Sequence, residues 1–442
     1  MTEPVPPRGL PRLILPGGPL PLTDHVGCYG PLPSGSGNGS AAAGTPSLIA
    51  EVERAGLAGR GGAGFPAGRK LRAVAVSSRG AGARRGQAGA VVVANGAESE
   101  PASAKDRMLL ARAPHLVLDG IAAAADAVGA SRCYLSLHAG SDELALQLAA
   151  AVRERAGMDR VPAQIIPCAT GYLASQETAL LSQLNGGKPK PTFVPPRPFQ
   201  KGAHGQPTLI ANVETLAHIA LIARFGAAWF CTLGQRGPGT AGSALVTISG
   251  AIRRPGVYEI ALGMPLGELI QQAGGPSEQP QAILAGGYLG GWLPYAGALE
   301  VPVTDPALRA AGAALGPGVF VVLPESACPL AEIAWVASYL ASQTARQCGP
   351  CSNGLPALAG TLRQLAFGRP DAASLGWADQ LMRLVTGRGA CHLPDGTAAF
   401  VASGLRVFSA ELHSHASAGP CSRARRRPVL PAPGYGKGAG HQ

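Results

Sequence analysis

Three observations predict an α/β protein with a layered first domain, a small second sheet and a final bundle of helices. Between residues 90 and 225, short β-branched runs alternate with apolar helix-like runs, as in a sheet covered by helices. Residues 244–260 read as a hairpin around the turn Arg254-Pro255-Gly256. From Ala331 the apolar residues recur at helical spacing, which predicts a small bundle.

The elements are expected in the following order along the chain. Residues 1–44 are rich in Pro, Gly and Ser and predict a flexible segment. A first helix starts at Thr45-Pro46 and stops at Gly56. The layered domain then continues as a strand at 90–94, a helix at 114–128, a strand at 133–138, a helix at 141–156 and a strand at 163–168. The last residues, with Arg423, Arg425–Arg427 and Lys437 among Pro and Gly, predict a disordered basic tail.

Composition excludes several classes of protein. A chain of 442 residues has material for two to four domains. Seven prolines within residues 1–22 argue against a signal peptide, and glycines interrupt the uncharged stretch 280–299 before it could span a membrane. Nine cysteines without an export signal indicate metal or redox chemistry. We expect a cytoplasmic protein, with peripheral association on the inner face of the membrane as the alternative, and no nucleic-acid partner.

The run Gly59-Arg-Gly-Gly-Ala-Gly-Phe-Pro-Ala-Gly68, followed by Arg69 and Lys70, is the most informative segment. Glycines let backbone N–H groups approach a ligand and form a nest for an anion such as a nucleotide or flavin phosphate. The embedded G-x-G-x-x-G pattern is weak support by itself, and a helix rather than a strand precedes it, which disfavours an ordinary Rossmann turn. A Gly-rich surface loop is the plain alternative.

Three further segments carry polar residues at the ends of apolar runs. Residues 90–94 lead into Asn95-Gly-Ala-Glu98-Ser99-Glu100, where open α/β sheets place their ligands. Helix-like runs begin at Gln176-Glu177-Thr178 and at Asn212-Val-Glu214-Thr215. With the Gly-rich run, these segments resemble, in the same order, the flavin subunit of respiratory NADH dehydrogenase (complex I), the NuoF or 51-kDa type. The resemblance extends from about Thr45 to Leu405 and suggests a divergent, stand-alone member.

This resemblance implies a domain order. We expect a flexible segment at 1–44, a Rossmann-like FMN- and NADH-binding α/β domain at 45–235, a β-grasp (SLBB) domain at 240–325, an iron–sulfur-binding helical bundle at 330–412 and a disordered basic tail at 413–442.

The resemblance also implies the cofactor contacts. The Gly loop and Lys70 would hold the FMN phosphate, Asn95 and Asn212 would bond the flavin, and Glu98, Glu100 and Glu177 would lie near flavin and nicotinamide. The cofactor-binding residues expected from matching positions are Gly59, Arg60, Gly61, Gly62, Gly64, Phe65, Lys70, Asn95, Glu98, Ser99, Glu100, Glu177, Asn212 and Thr215. No residue is expected to act as a catalytic acid or base.

Several positions depart from the family pattern. Ala97, Gln176 and Ala211 replace an Asp, a Glu and an Asn, and each exchange removes a hydrogen bond worth about 0.5–1.5 kcal/mol. On the dinucleotide side, Arg197 stands where the family has a stacking Phe, and Phe199 lies two residues on. Arg197 could stack or pair with a phosphate, which leaves NADPH as an alternative donor.

The cysteines determine whether electrons can pass onward. Cys348, Cys351 and Cys391 match three ligands of the family's 4Fe–4S cluster, and Ala345 replaces the fourth. The fourth ligand could be Cys421 or an imidazole of His392, His413 or His415; alternatively the site holds a 3Fe–4S cluster, or no cluster at all. Zinc is a distant competitor, because the gap from Cys351 to Cys391 exceeds the usual ligand spacing.

The function implied is an NADH dehydrogenase-like flavoprotein subunit. It would take a hydride from NADH onto FMN and pass single electrons to an iron–sulfur cluster and then to an acceptor protein. The acceptor is expected to be a ferredoxin, a small iron–sulfur subunit or a membrane flavocytochrome. The alternative is a catalytically degenerate scaffold or assembly subunit of an electron-transfer complex.

Overall fold

The structure, a computed structural model, describes residues 9–33, 47–85, 89–368 and 372–431. It divides into two compact units. The first unit comprises the chain up to Ser99, residues 104–246 and residues 257–264. The second comprises residues 100–103, 247–256 and the chain from Pro265 onward.

A parallel sheet of four strands forms the centre of the first unit. The strands are β1 (Ala90–Asn95), β2 (Ala130–His138), β3 (Ala163–Cys168) and β4 (Thr208–Asn212). Their order is β3-β2-β1-β4, and all neighbouring pairs are parallel. Because the chain builds outward from β1 to β3 and then returns to the other side of β1, the strand order reverses between β1 and β4. Such a switch point is where open α/β sheets bind ligands.

Eight helices accompany this sheet in the described part of the first unit. They are α1 (Leu22–Tyr29), α2 (Leu48–Arg54), α3 (Ala67–Arg85), α4 (Lys105–Arg112), α5 (Pro114–Val128), α6 (Asp142–Glu154), α7 (Glu177–Leu184) and α8 (Val213–Phe230). Helices α5 and α8 pack so closely that a Cβ at Gly120 would lie 2.0 Å from the carbonyl oxygen of Leu216. A glycine is therefore required at this crossing.

Helix α8 is an apolar core helix. Among the described residues it is long and apolar enough to cross a membrane by length and composition, and the bent pair α4–α5 passes the same test only if counted as one span. However, 67% of the apolar window of α8 is buried inside the protein, and Leu216, Ile219 and Ile222 belong to the core of the first unit.

The N-terminal segment differs from its expected flexibility over residues 9–33. Leu13 is fully buried, and the guanidinium of Arg12 donates to the carbonyl of Phe230 at 3.2 Å. The backbone N–H groups of Arg12 and Leu13 both donate to Glu259, at 2.8 and 2.9 Å. These contacts hold the segment although its composition resembles a linker. Residues 1–8 and 34–44 lie outside the described residues.

A second sheet follows the parallel one. Its strands are β5 (Ser243–Gly250), β6 (Gly256–Ala261), β7 (Pro280–Ala285), β8 (Gly291–Pro294) and β9 (Val319–Pro324), in the order β6-β5-β9-β7-β8. β5 pairs with β9 in parallel, whereas β7 is antiparallel to both β8 and β9. Its helices are α9 (Leu266–Gln272), α10 (Tyr295–Ala298) and α11 (Asp305–Ala310).

Five helices complete the described part of the second unit. They are α12 (Pro329–Ser342), α13 (Leu355–Phe367), α14 (Ala372–Val385), α15 (Leu393–Val407) and α16 (Ser409–Ala418). Leu340, Leu358, Leu365 and Val401 are each at most 1% exposed and form part of the helical core. The predicted fold class, an α/β sheet domain followed by a mixed sheet and helices, is confirmed.

The tail was expected to be disordered from residue 413, and this expectation is wrong up to residue 431. Residues 413–418 belong to α16, and a 3-10 turn follows at Ser422–Arg425. The buried carboxylate of Glu332 then accepts the backbone N–H groups of Val429 and Leu430, at 2.8 and 3.0 Å. Leu430 itself is 2% exposed. The basic composition of the tail gave no indication of these hydrogen bonds to Glu332. Residues 432–442 lie outside the described part.

Candidate functional site

The Gly-rich run forms a closed loop between α2 and α3. Ala58 and Pro66 make an antiparallel bridge, the N–H of Gly59 donates to the carbonyl of Phe65 at 2.9 Å, and that of Ala67 donates to Leu57 at 2.8 Å. The loop therefore delivers the chain directly to the N-terminus of α3, where free N–H groups favour anions.

Two glycines give the loop its shape. Gly62 and Gly64 have φ of 105° and 63°, a region that side chains with a Cβ avoid. A Cβ at Gly64 would meet nothing within 4 Å, so the space before the loop is open to a ligand. Gly64, Pro66 and Arg69 also line a cavity of about 830 Å³ whose other walls come from α2 and residues 228–241; Lys70, Asn95 and Asn212 do not line it.

The loop is fixed to the start of α8. The N–H of Arg60 donates to the hydroxyl of Thr215 at 2.9 Å. A Cβ at Gly61 would lie 3.3 Å from the Cβ of Asn212, so the loop backbone runs directly against that side chain. Thr215 and Gly61 therefore act in positioning the loop over the end of β4.

Two asparagines mark the switch point of the parallel sheet. Asn95 and Asn212 are register partners at the carboxyl ends of β1 and β4. The amide of Asn95 donates to the carbonyl of Ser175 at 2.9 Å. Asn212 caps α8 by accepting the N–H of Glu214 at 3.0 Å, and its amide donates to Asp106 at 2.7 Å. The structure thus brings together Asn95, Asn212 and the glycine loop.

A buried charge network lies beneath this junction. Lys105 donates to Glu214 at 2.7 Å and to Asp106 at 2.8 Å, and all three side chains are at most 9% exposed. Burial alone would raise the pKa of Glu214, but the Lys105 ammonium, His218 and Arg60 together lower it to about 2. Glu214 therefore remains ionised and holds the start of α8 in place.

Arg60 belongs to this network rather than to an exposed phosphate-binding set. Its side chain is 6% exposed, donates to the carbonyl of Ser243 at 3.0 Å and lies 3.8 Å from Glu214. Its guanidinium is therefore turned into the protein, and only its backbone belongs to the loop surface. Lys105, which sequence reasoning missed, follows the carboxylate segment after β1 but carried no motif that identified it.

The two carboxylates after β1, Glu98 and Glu100, have different partners. Glu98 accepts the N–H groups of Asp106 and Arg107, at 3.2 and 3.3 Å, and so caps α4. Glu100 belongs to the second unit and accepts the N–H of Tyr288 at 3.0 Å. Ser99 donates to the hydroxyl of Ser175 at 2.6 Å. Glu98 and Glu100 thus each accept backbone N–H groups, and their expected placement near flavin and nicotinamide stays a prediction.

Lys70 and Glu177 form a half-exposed ion pair. The ammonium of Lys70 lies 2.7 Å from the carboxylate of Glu177, and the two side chains are 28% and 35% exposed. Gln176 caps α7 by accepting the N–H groups of Thr178 and Ala179, at 2.9 and 3.0 Å. Its substitution for the family's Glu therefore preserves a helix cap. Lys70, Glu177 and the half-exposed Phe65 stay accessible to a ligand.

The residues on the dinucleotide side differ in their exposure. Arg197 is exposed, whereas Phe199 is partly buried and packs against the core of the first unit. Phe193 is 75% exposed, a large apolar ring facing solvent that sequence reasoning missed. Its only signal was a lone aromatic residue in a Pro-rich segment.

Cys348, Cys351 and Cys391 gather between α12 and α15. Cys348 hydrogen-bonds Cys351, and the charge of Cys391 also acts on Cys351. Burial raises the pKa of Cys351 to about 12. Burial also opposes ionisation of Cys348, but N–H groups of Ala390 and Cys351 lower its pKa overall. Buried Ala345 donates its N–H to Cys351, so the missing ligand position adjoins this group.

Cys421 lies in a different group. Its ligand atom and those of Cys328, Glu411 and His415 all lie within 4.8 Å of one another. Cys421 therefore does not lie beside Ala345 as the fourth ligand. His415 does not either, because it belongs to the same group as Cys421. His413 is exposed and bonds the carbonyl of Ser409 at 2.7 Å. His392, next to Cys391, is exposed.

Known proteins resemble this chain over most of its length. Residues 52–221 match the Nuo51 FMN-binding domain, 245–291 the SLBB domain, and 331–415 the NADH-ubiquinone oxidoreductase-F iron-sulfur binding region. The NADH-quinone oxidoreductase F 2 subunit of Rhizobium meliloti is 32% identical over 387 residues, covering 84% of this chain and 89% of that protein. The corresponding F subunit of Streptomyces coelicolor is 30% identical over 395 residues, covering 85% and 84%.

A solved structure has the same fold. A chain of an NAD+-reducing NiFe-hydrogenase in its H2-reduced state matches with a TM-score of 0.75 and 29% identity over 85% of this chain. The match spans 63% of that chain, so the hydrogenase chain contains a substantial part with no counterpart in the aligned region.

Proposed function

Because the chain belongs to the family of NADH-quinone oxidoreductase F subunits, we propose that it oxidises NADH on a bound FMN and passes electrons to a partner protein. It is an NADH dehydrogenase-like oxidoreductase with an FMN-binding domain and a 4Fe–4S binding region. The resemblance, the enzyme class and the cofactors expected from the sequence are confirmed. The observation that carries the proposal is the glycine loop lying at the switch point between Asn95 and Asn212.

The residues of the loop fit a flavin phosphate. Gly64 leaves open space in front of the backbone, and the loop leads into the N-terminus of α3, where the helix dipole favours an anion. Lys70 is half-exposed beside Glu177 and adds a positive charge in the first turn of α3. We propose that the loop and Lys70 hold the phosphate, while Asn95 and Asn212 border the flavin. When bound, FMN accepts two electrons together and releases them singly.

Hydride transfer from a nicotinamide requires orientation rather than a protein acid or base. We propose that Phe65 and Phe193, the exposed rings of the first unit at 51% and 75%, provide apolar contact for the dinucleotide. Arg197 supplies an exposed guanidinium that suits a phosphate. Glu177 orients Lys70 through their ion pair.

The three gathered thiols fit an iron–sulfur centre. Cys348, Cys351 and Cys391 provide three thiolates, and Ala345 provides none at the fourth position. We propose an iron–sulfur cluster in which one iron has no thiolate ligand, because Ala345 occupies the fourth ligand position. Such a centre would exchange single electrons.

The acceptor is proposed to be another protein. The relatives are named as subunits of an NADH-quinone oxidoreductase, and the similar solved chain belongs to a hydrogenase; both support a role within a multi-subunit assembly. A ferredoxin, a small iron–sulfur subunit and a membrane flavocytochrome share the required one-electron chemistry. We place the protein in the cytoplasm or peripherally on the inner membrane face.

Anaerobic titration with NADH tests this proposal. Freshly purified protein should show a flavin absorption band that bleaches on adding NADH, with further broad bleaching if the iron–sulfur centre is reduced. If the bound flavin stays oxidised with NADH but bleaches with NADPH, then the electron donor is NADPH rather than NADH. A well-folded protein that binds no flavin after reconstitution would overturn the enzymatic proposal.

A scaffold function is the second candidate. Ala97, Ala211 and Ala345 each lack a polar or thiol group that the family pattern provides. If these losses outweigh the intact loop, the fold would serve assembly alone. A colourless, stable protein that still co-purifies with a redox partner would favour this function.

A further inference from the structure

The second unit contains a compact group of metal-binding side chains that the proposed redox chemistry does not use. Cys328 directly precedes α12, Glu411 and His415 lie one turn apart on α16, and Cys421 precedes the 3-10 turn at Ser422–Arg425. All four ligand atoms lie within 4.8 Å of one another. Residues from three separate segments therefore converge on one point.

The distances suit one tetrahedral ion. Nε2 of His415 lies 3.3 Å from the carboxylate of Glu411 and 3.7 Å from the sulfur of Cys328. With zinc bonds of 2.0–2.3 Å to N, O and S ligands, the edges of a tetrahedron measure about 3.3–3.8 Å. These two distances are those of ligands around a single zinc ion, and the other pairs lie within 4.8 Å.

The imidazole is already oriented for a metal. Nδ1 of His415 lies 3.3 Å from the carbonyl of Leu365. A carbonyl can only accept, so Nδ1 carries the proton and Nε2 presents its lone pair to the group. A second hydrogen bond of this type commonly fixes a metal-binding histidine. The side chain of His415 is fully buried, which fixes that orientation further. The N–H of Cys421 donates to Nε2 at 3.2 Å, a bond that a metal would replace.

The charges around a divalent cation would balance once Arg423 is counted. Two thiolates and one carboxylate carry three negative charges, so a divalent cation would leave one uncompensated. Arg423 supplies the remaining positive charge: it donates to both carboxylate oxygens of Glu411 at 2.7 Å. Buried charge needs this kind of compensation.

We propose that Cys328, Glu411, His415 and Cys421 form a structural zinc site. Two thiolates with an imidazole and a carboxylate are donors that zinc favours. Four protein ligands fill a tetrahedral shell, which is the mark of a structural rather than a catalytic site. The ion joins the start of α12 to α16 and to the segment that continues to Leu430. It is separate from the three cysteines near Ala345.

The test is the zinc content of the full-length protein, measured by mass spectrometry after desalting, with iron measured in the same samples. Wild-type protein should contain about one zinc per chain. Cys421→Ser should lower zinc at least tenfold while iron is unchanged. The control Cys231→Ser removes an exposed cysteine and should keep zinc. The double variant Cys348→Ser/Cys351→Ser should lose iron and keep zinc.

Other outcomes would overturn the proposal. Wild-type protein that holds no zinc after incubation with the metal would do so, as would zinc loss caused by Cys348→Ser/Cys351→Ser. A Cys328–Cys421 disulfide, detected by intact mass and thiol counting, would also exclude the site. If Cys421→Ser fails to fold, cobalt added to chelator-treated wild-type protein decides: tetrahedral thiolate bands in the visible spectrum support the site, and their absence refutes it.

Discussion

Gly64 shows how one backbone conformation can govern cofactor binding. Its φ of 63° disfavours any residue with a Cβ, yet the space around a Cβ built there is open. A substitution would therefore cost backbone strain and also occupy the space before the loop. Gly140, with φ of 88° and nothing within 4 Å, shares the conformation but lies elsewhere in the first unit.

We predict that Gly64→Ala lowers FMN affinity at least tenfold. Both Gly64→Ala and the control Gly140→Ala should lose about 1–2 kcal/mol of stability, because L-residues are strained at positive φ. Only Gly64→Ala should lose flavin, because only its methyl group would lie before the phosphate loop. Fluorescence titration with FMN measures the affinity. Equal flavin binding by the two variants would contradict placement of the phosphate at this loop.

Glu332 is a buried acid that should give stability a measurable pH dependence. Burial raises its pKa to about 7, partly offset by the N–H groups of Val429 and Leu430. An unfolded Glu titrates near 4.5. Between these values the folded state binds more protons than the unfolded state, so stability decreases as pH rises through this window.

We predict that Glu332→Gln removes this pH dependence. Wild-type stability should fall by up to roughly 3 kcal/mol between pH 4.5 and 7, the free energy that corresponds to such a pKa difference. Urea unfolding across this range, with Glu268→Gln as a control at an exposed glutamate, measures it. If wild type and Glu332→Gln show the same slope, the carboxyl is not titrating in that window.

At the scale of elements, the segment from α12 to α13 determines the iron site. Ala345 follows the end of α12 and is 8% exposed, and a π-helical turn at Pro350–Gly354 carries Cys351 into α13. The backbone of Ala345 contacts the sulfur of Cys351. Residue 345 therefore lies beside the cysteine group, where a fourth ligand would be needed, but its side chain is only a methyl group.

We predict that Ala345→Cys completes a four-thiolate site. Iron and sulfide should rise to about four each per chain, and the reduced protein should show the electron paramagnetic resonance signal of a 4Fe–4S cluster. Ala341→Cys, one helical turn earlier, is the matched control and should leave iron unchanged. An unaltered iron count in Ala345→Cys would mean that another group already occupies this ligand position.

For the whole molecule, the two candidate redox sites belong to different units. The glycine loop, Asn95 and Asn212 lie in the first unit, and the three cysteines lie in the second. The chain forms two compact units, and we expect a substitution at one site to leave the other site intact. Hydride uptake and single-electron transfer should therefore be separable by mutation.

We predict that Cys351→Ser separates the two activities. NADH should bleach the flavin at the wild-type rate, while reduction of an added ferredoxin should fall at least tenfold because the iron–sulfur centre is lost. Stopped-flow bleaching and steady-state ferredoxin reduction measure the two steps, with flavin content as a check on folding and Cys231→Ser as the control. Equal loss of both rates would mean that flavin reduction depends on the cysteine group.

The sequence by itself determined the order of elements, the glycine loop and the family. Strands, helices and turns follow from local periodicity, and the capacity of the loop backbone to approach an anion follows from its glycines. The Asn95 segment could be placed at a ligand-binding sheet edge because it follows a buried strand, whereas the strand that brings Asn212 beside it appears only in the structure. These features depend on neighbours in the chain, which is why they could be predicted.

Only the tertiary structure decided where charged and thiol side chains point. Arg60 lies in the loop sequence, yet its guanidinium is buried near Glu214; Cys421 joins Cys328 rather than Cys351; and the basic tail is anchored on Glu332. Each outcome depends on a partner distant in sequence. Desolvating a charge requires a specific counter-charge or hydrogen bond, and spacing along the chain does not reveal which distant residue supplies it.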